Sequence, residues 1–217
     1  MMRSFFTTLS YAFHPIFLPI LGLYFLFELP TTSYGYVDTS LYNLRGDVKT
    51  TIYILFGFLT VAAPGFSILI MKRNKLISSL QVENREERFY PLVLVILYYG
   101  LSYFFLRRMI PEQSVIPFLL PYVFGFTLSV IAAFILNFYI KISIHMIAVF
   151  GVVGAITGYF QHQMEYNLWF LFFLIIVGGL IGSSRLYLKA HSLKEIIYGI
   201  VFGFGIEYFC MKFEWYI

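Results

Sequence analysis

The sequence predicts an all-α protein, a polytopic transmembrane helical bundle of about six to seven spanning helices, and three observations carry that reading. Of 217 residues, 60% are hydrophobic and only 12% are charged, about half the charged fraction of an ordinary soluble domain. Mean hydropathy is +0.81. Apolar runs recur along the whole chain, and no polar linker is long enough to separate folding units, so residues 1–217 read as a single integral membrane domain. This composition excludes a water-soluble globule.

A helix needs about 20 apolar residues to cross roughly 30 Å of hydrocarbon. Seven segments approach that length, at residues 5–29, 51–71, 90–106, 115–139, 144–160, 168–184 and 193–211. The first follows Arg3 and contains Pro15 and Pro19, and no small-residue cleavage site precedes Glu28. It therefore reads as a retained first helix rather than a leader. Residues 30–49 form a polar loop, 72–88 a strongly charged one, 107–114 and 161–167 short turns, and 185–194 a basic hinge. In the last three helices, glycines recur one turn apart: Gly154 and Gly158, Gly178 and Gly182, Gly199 and Gly203. Such spacing lets helix backbones approach closely in a bilayer, so these three helices are expected to form a compact unit.

The net charge of +4 suits loops facing the anionic headgroups of membrane lipids, and no nucleic-acid partner is expected. Cys210 is the single cysteine, which rules out an internal disulfide and a cysteine metal cluster. His162 and Glu165 have ligand-like spacing in a short turn but no third ligand, so neither a metal nor another cofactor is expected. His14, beside Pro15, reads as a packing feature. Glu207 lies within the last helix and is expected to face the bundle or the far interface, because a lipid-facing carboxylate is costly.

If the spans alternate, one membrane face collects Lys72, Arg73, Lys75, Arg85, Arg88, Lys141, Ser143, His145, Ser184, Arg185, Lys189, His191 and Glu195. Histidines and arginines converging there suit a phosphate-bearing group, whose oxygens match the planar guanidinium fork. Ser143 and His145 begin the fifth helix, where free N–H groups and the positive dipole end favour an anion.

Three stretches carry a family resemblance. The run Ser184-Arg185-Leu186-Tyr187-Leu188-Lys189-Ala190-His191-Ser192-Leu193-Lys194-Glu195 keeps every spacing of the pattern S-R-x5-H-x3-D, with glutamate for the final aspartate. Ile142-Ser143-Ile144-His145 keeps the serine and histidine of P-S-G-H. The remaining piece, K-x6-R-P, is weakest: Arg88 is separated from Pro91 by Phe89 and Tyr90, and Gln81 stands where the lysine would fall. In this order the pieces resemble the type 2 phosphatidic acid phosphatases, the PAP2 or acid phosphatase and vanadium haloperoxidase superfamily, over about residues 85–209. The chain is identified as a divergent member.

The resemblance implies metal-independent hydrolysis of a lipid phosphate or polyprenyl pyrophosphate through a phosphohistidine. It makes His191 the nucleophile, Glu195 the group orienting it, and His145 the general acid. Arg185, Arg88 and Arg85 would bind phosphoryl oxygens, with Ser143 and Ser184 adding donors, and Arg85 or Lys75 standing in for the missing lysine. Ser192 and Glu195 also fit a capping box that starts the last helix, and both roles can hold together. The alternative function is a non-catalytic lipid-phosphate binding or transport protein. A third is a purely structural membrane subunit. Of 15 Lys and Arg residues, ten fall on the face of the expected site and five on the other, which by the positive-inside rule points that face to the cytoplasm. Membrane members of the resembled family commonly place the site outside, so the side stays open; a cell (inner) membrane is the expected location. The sequence is silent on oligomeric state.

Overall fold

The computed structural model describes residues 2–34, 38–82, 84–109 and 118–215. Nine helical segments are described: α1 (Met2–Ala12), α2 (Leu18–Glu28), α3 (Gly46–Gly57), α4 (Ala63–Arg73), α5 (Phe89–Met109), α6 (Leu119–Asn137), α7 (Ile144–Phe160), α8 (Leu168–Tyr187) and α9 (Leu193–Lys212). The fold is the expected all-α polytopic bundle. Five stretches are long and apolar enough to cross a membrane: Met2–Glu28, Gly46–Arg73, Glu86–Met109, Leu119–Asn137 and Leu168–Tyr187. α7 is shorter, but nearly all its residues are buried, so it forms the centre of the bundle and is shielded from lipid by its neighbours. α9 has 20 residues and carries Lys194, Glu195, Glu207 and Lys212.

The first segment departs from expectation. It is broken between α1 and α2, where His14 is extended (φ −61°, ψ 136°) and a short 3-10 turn spans Pro15–Phe17. Proline disfavours helical backbone in the residue before it, so Pro15 stops α1 and leaves a bend. The second span starts at Gly46, before the expected residue 51, with Asp47 in its first turn, where a carboxylate suits the helix dipole. Within that span, Pro64 removes a donor and crowds the preceding turn. A single π turn at Phe58–Ala62 accommodates it between α3 and α4. The expected start of the fourth span at residues 115–117, and most of the turn before it, lie outside the described residues.

The close packing is set by glycine. A methyl group added at Gly154 of α7 would run into the main chain of Phe204, and one at Gly203 of α9 into the main chain of Ile147. At Gly158 it would lie 2.7 Å from Met211 Cβ, and at Gly199 2.8 Å from the Ser143 carbonyl. α7 and α9 therefore touch backbone to backbone along their length. Gly178 and Gly182 of α8 instead receive the side chains of Phe150 and Met146. Glu207 faces the bundle, fully buried against Gly125 and Gly151.

At one end, the Tyr159 hydroxyl accepts from the Leu41 amide (2.8 Å) and bonds Thr31 Oγ1 (3.0 Å). Beside it, Thr32–Ser33 (β1) pairs antiparallel with Gln163–Glu165 (β2). The other end gathers the α4–α5 loop, the α6–α7 junction and the α8–α9 turn.

Gly203→Val is expected to destabilise the protein by about 2 kcal/mol or more, because the opposing atoms are main chain and cannot repack. Gly179→Val, which meets nothing within 4 Å, should be neutral. Thermal unfolding in detergent, followed by monodispersity, measures both.

Candidate active site

Two local devices bring the candidate residues together. The first is the α8–α9 turn. Lys189 adopts a left-handed conformation (φ 54°), and the Ala190 amide donates back to the Arg185 carbonyl (3.1 Å) while the Lys189 amide donates to Leu186 (2.9 Å). This is the Schellman closure of a helix C-terminus, here without glycine. The same Arg185 carbonyl accepts from the His191 amide (3.3 Å), so the six-residue spacing between Arg185 and His191 becomes spatial adjacency. The second device is the start of α9. Ser192 Oγ accepts from the Glu195 amide (3.4 Å) and Glu195 Oε2 from the Ser192 amide (3.1 Å), a complete capping box.

Glu195 has a second task. Its Oε2 lies 2.9 Å from His191 Nδ1, and the Lys141 carbonyl lies 3.1 Å from the same nitrogen. Both partners are acceptors, so Nδ1 carries the proton and Nε2 keeps its lone pair. Burial lowers the His191 pKa below its ordinary 6.5, while the hydrogen bond to Glu195 pulls it upward.

His145, in the first turn of α7, is 4% exposed. Its Nε2 donates to the Ser10 carbonyl at 3.2 Å. Arg185 is 1% exposed and donates through Nη1 to Ser10 Oγ (2.6 Å) and Gln81 Oε1 (3.1 Å). Arg88, also buried, donates through Nε to the Val82 carbonyl and through Nη1 to the Ile142 carbonyl, both at 2.9 Å. Val82 is itself left-handed (φ 45°), costly for a β-branched residue.

His14, Gln81, Arg88, His145, Arg185 and His191 all line one cavity of about 930 Å³ of empty space, part of it open to the surroundings. Its remaining walls are almost wholly apolar. They follow α5 through Pro91, Leu92, Val95 and Tyr99, and α6 through Ala133, Val130, Ser129 and Phe126. From Arg88 to Tyr99 a helix rises roughly 16 Å, about half the hydrocarbon thickness.

Not every expected residue reaches this cavity. Arg85 does not line it. Its guanidinium caps the end of α6, donating to the carbonyls of Asn137, Phe138 and Tyr139, where free helix carbonyls await donors. Lys75 is exposed and also absent from the cavity wall. Ser184 donates to the Phe6 carbonyl (3.0 Å). Ser143 lies beneath the site, its amide donating to the Glu195 carbonyl (3.3 Å), and its hydroxyl has no partner among the described residues. Sequence reasoning missed His14 and Gln81 as cavity residues and Ser10 as the partner of Arg185 and His145. Gln81, seven before Arg88, carried a signal in its spacing; Ser10 carried none. The described residues bring together no group of three His, Cys, Asp or Glu able to hold a metal.

An all-α membrane bundle with buried arginines and histidines over an apolar cavity at one membrane edge defines the class of protein. The chain belongs to the PAP2 superfamily, a superfamily of phosphatase type, whose model matches residues 92–217. That match contains His145, Arg185, His191 and Glu195, and leaves out Ser10, His14, Gln81 and Arg88. No curated protein and no solved structure matches the chain.

Titration of the histidine ring resonances should find His191 below 6.5. Glu195→Gln should shift it lower still, because the carboxylate is the group favouring the protonated ring. A His191 value at or above 6.5, or an upward shift in the variant, would contradict the burial and pairing described.

Proposed function

We propose that this chain is a membrane-embedded phosphatase that hydrolyses a lipid phosphate or prenyl pyrophosphate through a phosphohistidine, without a metal. One observation carries the reading: the two acceptors on His191 Nδ1 leave Nε2 as a free nucleophile in a cavity shared with Arg185, Arg88 and His145.

In the first step, Nε2 attacks phosphorus and the bond to the leaving oxygen breaks. His145, entering the step as the imidazolium with a proton on each ring nitrogen, gives that oxygen its Nε2 proton and becomes neutral. The Nδ1 proton stays with the ring, and Glu195 offsets the positive charge the ring acquires on becoming phosphohistidine. Arg185 and Arg88 face the charge spreading over the phosphoryl oxygens. In the second step, water gives a proton to His145 and its oxygen attacks phosphorus. The P–N bond breaks and free phosphate leaves. The apolar arm along α5 and α6 suits the hydrocarbon tail, which stays at bilayer depth while the phosphate sits at the membrane edge.

The substitution of isoleucines for the proline and glycine beside Ser143 supports a second reading, a lipid-phosphate binder without turnover. The two differ in one assay. Purified protein in chelator should release phosphate from lipid phosphates and prenyl pyrophosphates, and His191→Ala should lower kcat by at least about 10³-fold. Lipid binding that survives in both proteins, with wild-type release no faster than the variant's, would instead support the binder.

A further inference from the structure

α1 is exposed along most of its length, and Ser10 is its one buried residue. That residue reaches two of the groups the proposed chemistry uses. Its hydroxyl accepts from Arg185 Nη1 at 2.6 Å, and its carbonyl accepts from His145 Nε2 at 3.2 Å. A phosphoryl oxygen and a leaving-group oxygen would take the same two donors.

We infer that α1 is a latch, held by Ser10 on Arg185 and His145, that the phosphate of an incoming lipid displaces. The inference rests on the reading of Arg185 and His145 as a phosphate site. The main-chain carbonyl decides between displacement and sharing. A hydroxyl can turn and donate to a phosphate, but a carbonyl has only lone pairs and repels the anion. His145 can protonate a leaving oxygen only after Ser10 has withdrawn, and the whole helix moves with its backbone.

The chain is built to allow that motion. Phe13 and His14 lie outside any helix, immediately before Pro15, so a bend already separates α1 from the firmly packed α2. Beyond Ser10, α1 is fastened to α8 by Ser184 Oγ on the Phe6 carbonyl (3.0 Å) and by the Phe6 and Tyr187 rings, whose centroids are 4.6 Å apart. α1 also lies outside the part of the chain that matches the superfamily. Leu80 and Gln81 of the α4–α5 loop form the facing wall of the cavity.

The test fixes α1 in place. Phe6→Cys and Tyr187→Cys, joined by a short reducible bis-thiosulfonate linker, should bind inorganic phosphate at least tenfold more weakly than the reduced protein by calorimetry. The linked protein should also lose lipid-phosphate turnover, and reductant should restore both. Ser10→Ala provides a second measurement that needs no linker: removing a charge-assisted competitor should tighten phosphate binding roughly threefold to tenfold. Equal phosphate binding by linked and reduced proteins overturns the latch, whatever the turnover. Weaker binding by Ser10→Ala makes Ser10 a phosphate ligand and overturns it also. Phosphate binding that responds as described in a protein without turnover upholds the latch and removes the phosphatase reading. Absence of binding and turnover in the reduced and wild-type proteins removes both.

Discussion

The contact on which this structure depends is the backbone-to-backbone approach of α7 and α9. Gly154 and Gly203 place each helix where a single methyl group would strike the other's main chain. In a bilayer, lipid competes with protein for apolar side chains, so close packing rather than hydrophobicity decides which helices associate. The consequence reaches the membrane edge. With the two helices in contact, the Ser143 amide meets the Glu195 carbonyl, and the start of α7, carrying His145, is fixed beside the start of α9, carrying Glu195. The Schellman turn at Lys189 then delivers Arg185 and His191 to the same place. The proposed acid, nucleophile and orienting carboxylate, with one arginine, thus depend on one helix pair and one turn.

Around that unit, main-chain carbonyls take the guanidinium donors of the two arginines of the α4–α5 loop. Arg88 donates to the carbonyls of Val82 and Ile142, and Arg85 closes the end of α6 through three carbonyls. Carbonyls satisfy guanidinium donors without bringing a charge of their own. Lining the cavity and capping a helix are different uses of such a residue. The distinction separates the two arginines of the α4–α5 loop: Arg88 lines the cavity, while Arg85, one turn away, serves the helix end.

The bundle was legible in the sequence because bilayer thickness imposes a length on each apolar run, and the glycine pairs announced which helices would touch. Arg185, His191 and Glu195 were legible for a local reason, since one turn and one cap convert their spacing into proximity. Arg85 was misjudged because its partners, Asn137 to Tyr139, lie about fifty residues away and offer only main-chain oxygens, which leave no mark on sequence. Ser10 was invisible for a related reason. A serine in an apolar helix looks like any other until a bend at His14 and Pro15 lays that helix over the site. Pro15 was seen to interrupt the run, but its effect on direction required the neighbouring helices.

The central claim is that His191 Nε2 forms a bond to phosphorus. Reacting the purified protein with a lipid phosphate labelled on phosphorus, quenching in alkali and mapping the label by mass spectrometry tests this directly. The account predicts label on His191 of the wild type and none in His191→Ala. Phosphate release with no label on His191, or label on another residue, would contradict it.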